Sequence, residues 1–164
     1  MSWKARAFWP ILAVLVLTDC STKRIVEEQL TGNPGPHPVL GEWLRLTLAY
    51  NPDAAMSLSF GPASRLVFSL AAVLALVLLL KLYRQTAPHG RLRAASIALV
   101  AGGALGNLLD RLRSSRGVVD FIDVGIGDTR FWTFNVADVG VTVGAILLAV
   151  VLWREDSAEA AEAA

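Results

Sequence analysis

Asp120 and Asp138 are the residues of this chain best suited to chemistry. They lie in Val118-Val119-Asp120-Phe121 and Phe134-Asn135-Val136-Ala137-Asp138, and the second motif opens a long apolar run. A carboxylate at the edge of a membrane span is costly there, so it usually faces a polar interior or a site. Two carboxylates held close together cannot both ionise easily, and sharing one proton leaves one acid and one base. Such a pair can drive water onto an amide bond. Spacing does not separate Asp120 from Asp123, and on position alone a catalytic pair, a structural pair and a transport pathway all stay open. Asp123 and Asp128 sit near Gly125 and Gly127, where solvated turn residues are the usual reading.

The composition says what must position these acids. The chain has 164 residues, 54% of them hydrophobic and 18% charged, with a mean hydropathy of +0.51. A soluble core of that size cannot hide so much apolar surface, so lipid is the expected solvent and a single membrane domain the expected organisation. Net charge is +1, without a basic block, which speaks against a nucleic-acid partner. One cysteine, Cys20, excludes an internal disulfide framework, and two distant histidines, His37 and His89, make a histidine/cysteine metal site improbable.

Four apolar runs predict four transmembrane helices, at approximately 7–25, 66–84, 94–112 and 135–153. The first is too short on its apolar residues alone, and extending it carries Asp19 and Lys23 toward the far interface, four apart on one helical face, where they could pair. Gly102 with Gly106, and Gly140 with Gly144, give two G-x-x-x-G spacings that allow the third and fourth helices to pack closely. Lys4, Arg6, Lys81, Arg84, Arg91 and Arg93 place both termini and the second connection in the cytoplasm. The loops at 27–64 and 113–134 then lie outside, and the acidic, alanine-rich tail at 155–164 reads as a poorly ordered cytoplasmic extension. Trp43 to Tyr50 alternates leucine with other residues, which is strand periodicity, and Asn51-Pro52-Asp53 reads as a turn. Phe131 to Phe134 reads either as a short strand or as an interfacial aromatic belt. The fold class expected is an α-helical integral membrane protein with a small extracytoplasmic β-sheet.

Five ordered motifs carry a more specific signal. They are Asp19-Cys20-Ser21-Thr22-Lys23, Asn51-Pro52-Asp53-Ala54-Ala55-Met56-Ser57, Gly102-Gly103-Ala104-Leu105-Gly106-Asn107-Leu108-Leu109-Asp110-Arg111, and the two motifs that hold Asp120 and Asp138. With them the chain resembles the bacterial lipoprotein signal peptidases (signal peptidase II) over nearly its whole apolar length. The resemblance implies an aspartyl endopeptidase of the bacterial inner membrane, with its active site at the extracytoplasmic face. Its substrates would be diacylglyceryl-modified prolipoproteins met in membrane lipid, cut on the amino side of the lipidated cysteine, with no cofactor and no metal. Asp120 and Asp138 would be the catalytic dyad. Asn107, Arg111 and Asn135 would be polar supports and substrate contacts, Asn51 would help present the scissile segment, and Asp19 and Lys23 would line the same pocket. One departure stands out: Asp53 and Met56 occupy positions where the family pattern has Gly and Phe. Aspartate tolerates positive φ better than most residues, so the turn can survive the change.

Rival readings have weaker support. A transporter or proton-pathway subunit would account for intramembrane acids, but these cluster toward one face and no internal repeat is visible. Lys4 and Arg6 followed by an apolar run and Cys20 imitate a lipoprotein signal peptide, yet the residue before the cysteine is Asp19, where a small one is needed. A Ser–Lys site built from Ser21, Ser57 or Ser59 with Lys23 is a third possibility in form, although these serines have no distinguishing context. Cys20 reads as a small apolar filler.

Overall fold

A computed structural model describes residues 2–52 and 59–162 of the chain. Four helices among them are long and apolar enough to cross a membrane. They are α1 (Trp3–Leu30), α2 (Ser64–Gln85), α3 (Arg91–Arg113) and α4 (Val136–Glu162). Strands β1 (His37–Leu40) and β2 (Leu44–Asn51) lie between α1 and α2, and β3 (Val118–Ile126) and β4 (Thr129–Arg130) between α3 and α4. The four strands form one antiparallel sheet in the order β1-β2-β3-β4. The chain is an α-helical membrane protein with a small sheet, as its sequence leads one to expect.

Each helix overruns its apolar stretch, because hydropathy measures contact with lipid while helix length is set by backbone hydrogen bonding. α1 is 28 residues long and continues past Lys23 through Arg24 and Glu28, which pair at 2.7 Å on its surface. α4 runs beyond the expected span into the acidic, alanine-rich tail and is helical to Glu162. Alanine and glutamate are strong helix formers, and Arg93 Nη1 holds Glu155 Oε2 at 2.6 Å, which ties that end of α4 to the start of α3.

α3 is the centre of the bundle and packs on all three other helices. Half of its apolar span is buried, against 6% for the span that contains α2 and 11% for that of α1. This explains its weak hydropathy and many small residues: its neighbours are backbones, not lipid tails. A Cβ on Gly103 would lie 2.3 Å from the Ala137 carbonyl of α4, and one on Gly144 would lie 2.8 Å from Leu99 and Val100 of α3. The two glycine pairs therefore do more than join α3 to α4. Gly102 and Gly140 together form a notch that receives Leu15 of α1.

The ends of the bundle differ. At one end Lys4 Nζ donates to the carbonyls of Tyr83 and Arg84, both at 3.2 Å, and so closes the end of α2. At the other end the sheet packs on the last turns of α1, with Val26, Leu48, Val119 and Phe121 forming a core joined by Leu30, Leu46 and Tyr50. Leu46, Leu48 and Tyr50 alternate along β2, so the expected periodicity is the face that packs. β2 begins at Leu44, one residue after the expected start. Of Phe131 to Phe134, Phe134 bridges to Ile122 and the Phe131 N–H donates to the Val124 carbonyl of β3 at 2.8 Å, while the side chains of Phe131 and Trp132 are exposed. The turn expected at Asn51-Pro52-Asp53 is only partly visible: Asn51 ends β2, and Asp53, Met56 and Ser57 lie outside the described residues.

Asp123 corrects an expectation: it is a buried strand residue, not a solvated turn residue. Its Oδ1 accepts from Arg130 Nε at 2.7 Å, and its Oδ2 accepts from Arg45 Nε and Thr47 Oγ1, both at 3.1 Å. Burial works against ionisation, but the donors Arg130, Thr47 and Arg45 outweigh it and hold the carboxyl below its usual value. Asp128 does occupy the exposed turn between β3 and β4.

Candidate active site

Two local structures aim the carboxylates. In β3 the alternation of a strand sends Val119 and Phe121 into the core, and Val118 and Asp120 to the opposite face, where both line a cavity. Asp120 stands opposite Ala49 of β2, and is 4% exposed. Asn51, at the end of β2, donates through Nδ2 to Asp120 Oδ2 at 3.2 Å.

Asp138 sits in the first turn of α4, where Asn135 is the residue before the helix. The Asp138 N–H donates to Asn135 Oδ1, and the Asn135 N–H donates to Asp138 Oδ2, both at 3.0 Å. This reciprocal pair is a capping box built from Asn and Asp, and it satisfies two helix-end donors that would otherwise be unpaired. The positive end of the helix also favours a carboxylate there.

Asparagine amides join the two acids. Asn135 Nδ2 donates to Asp120 Oδ1 at 2.7 Å, so the residue that caps Asp138's helix also touches Asp120. Asn107 of α3 donates through Nδ2 to Asp138 Oδ1 at 2.8 Å. Its Oδ1 accepts from Lys23 Nζ at 2.9 Å and from Asn135 Nδ2 at 3.1 Å. An ammonium can only donate, so Lys23 dictates which end of the Asn107 amide faces Asp138.

Burial and the neighbouring charge of Asp138 push the Asp120 carboxyl up to about 6, against the pull of Asn51, Asn135 and Lys23. Asp120 thus holds a proton at a pH where an ordinary aspartate has lost it. The arrangement suits acid–base work on a bound water. The cavity measures about 790 Å³, within the range of small-ligand sites. Asn51, Asn107, Arg111, Asp120 and Asp138 form its polar end, while Phe131, Trp132, Val139 and Val143 form an apolar wall.

Of the residues expected here, Asp120, Asp138, Asn51, Asn107, Arg111 and Asn135 come together. Arg111 is buried, with its guanidinium 5.7 Å from the ring of Phe68. Asp19 and Lys23 do not line the cavity as expected. They are buried behind it, 0% and 2% exposed, with Lys23 Nζ 2.8 Å from Asp19 Oδ2. That contact is a close ion pair. Among the described residues, Lys23 faces carboxylates and an amide, not a serine. Asp110 is the residue that sequence reading missed. It pairs with Lys23 at 2.8 Å, and its position three residues after Asn107 on one helical face was the available signal.

Four membrane-length helices, a small sheet and two linked carboxylates at the end of an apolar cavity define a polytopic membrane protein equipped for hydrolysis. The chain belongs to the signal peptidase (SPase) II family, whose model matches residues 11–154. It is similar to the lipoprotein signal peptidase of Moorella thermoacetica, 39% identical over 84% of this chain and 87% of that one. The lipoprotein signal peptidase of Ectopseudomonas mendocina is 40% identical over 90% and 89%. That of Nitratidesulfovibrio vulgaris is 37% identical over 97% and 96%. Two solved structures of bacterial membrane enzymes share the fold. One has a TM-score of 0.78 at 29% identity, covering 90% of this chain and 87% of its own. The other has a TM-score of 0.73 at 30% identity, covering 87% and 89%.

Proposed function

We propose that Asp120 and Asp138 are the catalytic dyad with which this signal peptidase II removes signal peptides from diacylglyceryl-modified prolipoproteins, cutting on the amino side of the lipidated cysteine. The observation that carries this reading is the double role of Asn135, hydrogen bonded to Asp120 and locked in a capping box with Asp138.

The chemistry needs one proton shared by the pair. The ionised carboxylate takes a proton from a water as its oxygen attacks the scissile carbonyl carbon. The protonated carboxylate gives its proton to the carbonyl oxygen, which leaves a neutral tetrahedral diol. On collapse one diol hydroxyl returns its proton to a carboxylate, the C–N bond breaks and the leaving nitrogen takes the other proton. The pair ends with one proton, as it began. Because the two groups are coupled, acid and base belong to the dyad as a unit. Asn51, Asn107 and Asn135 orient its oxygens, and Arg111 offers the polar end of the cavity a fixed positive charge.

The apolar wall of Phe131, Trp132, Val139 and Val143 suits the acyl chains of a lipidated cysteine. The basic residues Lys4, Arg84, Arg91 and Arg93 belong to the helix ends opposite the sheet, which supports a cytoplasmic assignment for both termini and an extracytoplasmic one for the dyad. A bacterial inner membrane fits both.

The test incubates wild type, Asp120→Asn and Asp138→Asn, each in lipid, with diacylglyceryl-modified prolipoprotein. We expect a gel shift marking signal-peptide release for wild type alone, unchanged by a metal chelator. Cleavage by either variant would refute the dyad.

A further inference from the structure

Asp110 takes no part in the chemistry above, yet it stands where the two halves of the site share a support. It is buried near the end of α3. Its Oδ2 lies 2.8 Å from Lys23 Nζ and accepts the N–H of Val119 at 3.3 Å. Val119 immediately precedes Asp120. On the other side of the same ammonium, Asp19 accepts through Oδ1 the N–H of Ala137 at 2.9 Å. Ala137 immediately precedes Asp138. Each carboxylate beside Lys23 therefore grips the backbone one residue before a cavity aspartate. The ammonium between them adds a third link, through Asn107 to Asp138.

We propose that the buried Asp19–Lys23–Asp110 cluster sets the relative placement of Asp120 and Asp138, and that Asp110 is the positioning residue for Asp120. The proposal rests on the dyad reading and adds its support. Joining α1 to α3 would need only the Lys23–Asp110 pair. A carboxylate that also holds a strand N–H ties β3 to the same point, and β3 carries half of the pair. A rigid common anchor matters because displacement of about 1 Å in a reacting group can cost on the order of 100-fold in rate.

Two variants test it in the full-length protein in lipid, with wild type and Asp120→Asn alongside. Asp110→Asn keeps an acceptor for Val119 but removes the charge that faces Lys23. The double variant Lys23→Met/Asp110→Leu replaces two members of the cluster with apolar groups of similar size; it also leaves buried Asp19 without its cation, so folding is measured first. Size exclusion and thermal unfolding report folding; kcat, KM and the pH–rate profile report the site. For the folded double variant we expect kcat to fall roughly 10- to 100-fold, with KM within about twofold. For Asp110→Asn we expect a smaller loss and an optimum moved to lower pH. Among the described residues the charged groups around the dyad are Lys23 and Asp19 from α1 and Arg111 from α3, and with the charge at position 110 removed their balance favours ionised Asp120.

A folded double variant with wild-type kcat would overturn the proposal. So would Asp110→Asn activity lowered equally at every pH, which is what lost folded protein produces, and that profile decides the matter if the double variant does not fold. An inert wild type, or an active Asp120→Asn, would instead remove the dyad and this proposal with it.

Discussion

Asn135 and Asp138 cap one another at the start of α4, each backbone N–H donating to the other's side chain at 3.0 Å. The pair turns a helix end into a fixed mount for a carboxylate. Because Asn135 also donates to Asp120 at 2.7 Å, one side chain serves both acids. Asn135→Ala is expected to remove the cap at a cost of about 1 kcal/mol in stability. It also deprives Asp120 of a donor that lowers its proton affinity, so the alkaline limb of the pH–rate profile should move to higher pH. Thermal unfolding and a profile of kcat/KM check the two effects; a loss of activity without movement of that limb would contradict the bond's role.

Asp120 has a consequence for stability as well as for catalysis. Its folded value, about 6, lies above the ordinary 3.8. The sign follows: its contribution is fully present below the unfolded value and is lost as pH rises through about 6. The ionised carboxylate therefore costs the fold up to roughly 3 kcal/mol at neutral pH. Asp120→Asn should unfold at a higher temperature than wild type near pH 7.5, with the difference gone near pH 4. Equal melting at both pH values would show that the carboxyl is not perturbed.

Gly106 faces the buried cluster. A Cβ there would lie 2.5 Å from Asp19 Oδ2 and 3.4 Å from the Ala137 side chain. Gly106→Ala must displace either the carboxylate or α4, and overpacking of this kind costs about 1–3 kcal/mol. At Gly102 the nearest neighbour is the movable tip of Leu15, at 3.0 Å. Gly102→Ala should accordingly be milder, and side-by-side melting temperatures and cleavage rates decide. The reverse order would mean that α4 yields more easily than Leu15.

Asp123 should behave oppositely to Asp120. Arg130, Thr47 and Arg45 together hold its carboxyl below the usual value despite burial. Its stabilisation is then present above the unfolded value and lost as pH falls through the folded one. Asp123→Asn is expected to destabilise the sheet at neutral pH, with the gap to wild type narrowing in acid. Unfolding followed across pH tests this, and a gap that widens in acid would reverse the assignment.

Much of the molecule was legible in its residues. Lipid demands long apolar runs, so four spans stood out from hydropathy alone. A half-buried strand demands alternation, so β2 was readable within one residue. The acids at span edges were conspicuous because such positions are costly. Three things were decided only by the tertiary structure. Asp123 looked like a turn residue because its neutralising partners, Arg45 and Arg130, come from different strands. Asp19 and Lys23 were expected in the cavity wall because spacing shows which helical face a residue occupies, but not what covers that face. Asp110 was passed over beside Arg111, since its bonds to Lys23 and Val119 exist only once α1, α3 and β3 meet. Sequence thus determined which segments enter lipid and which groups can do chemistry, because both follow from local transfer energies. Which carboxylates face the cavity and which support it depends on contacts between distant segments, and only the folded chain supplies those.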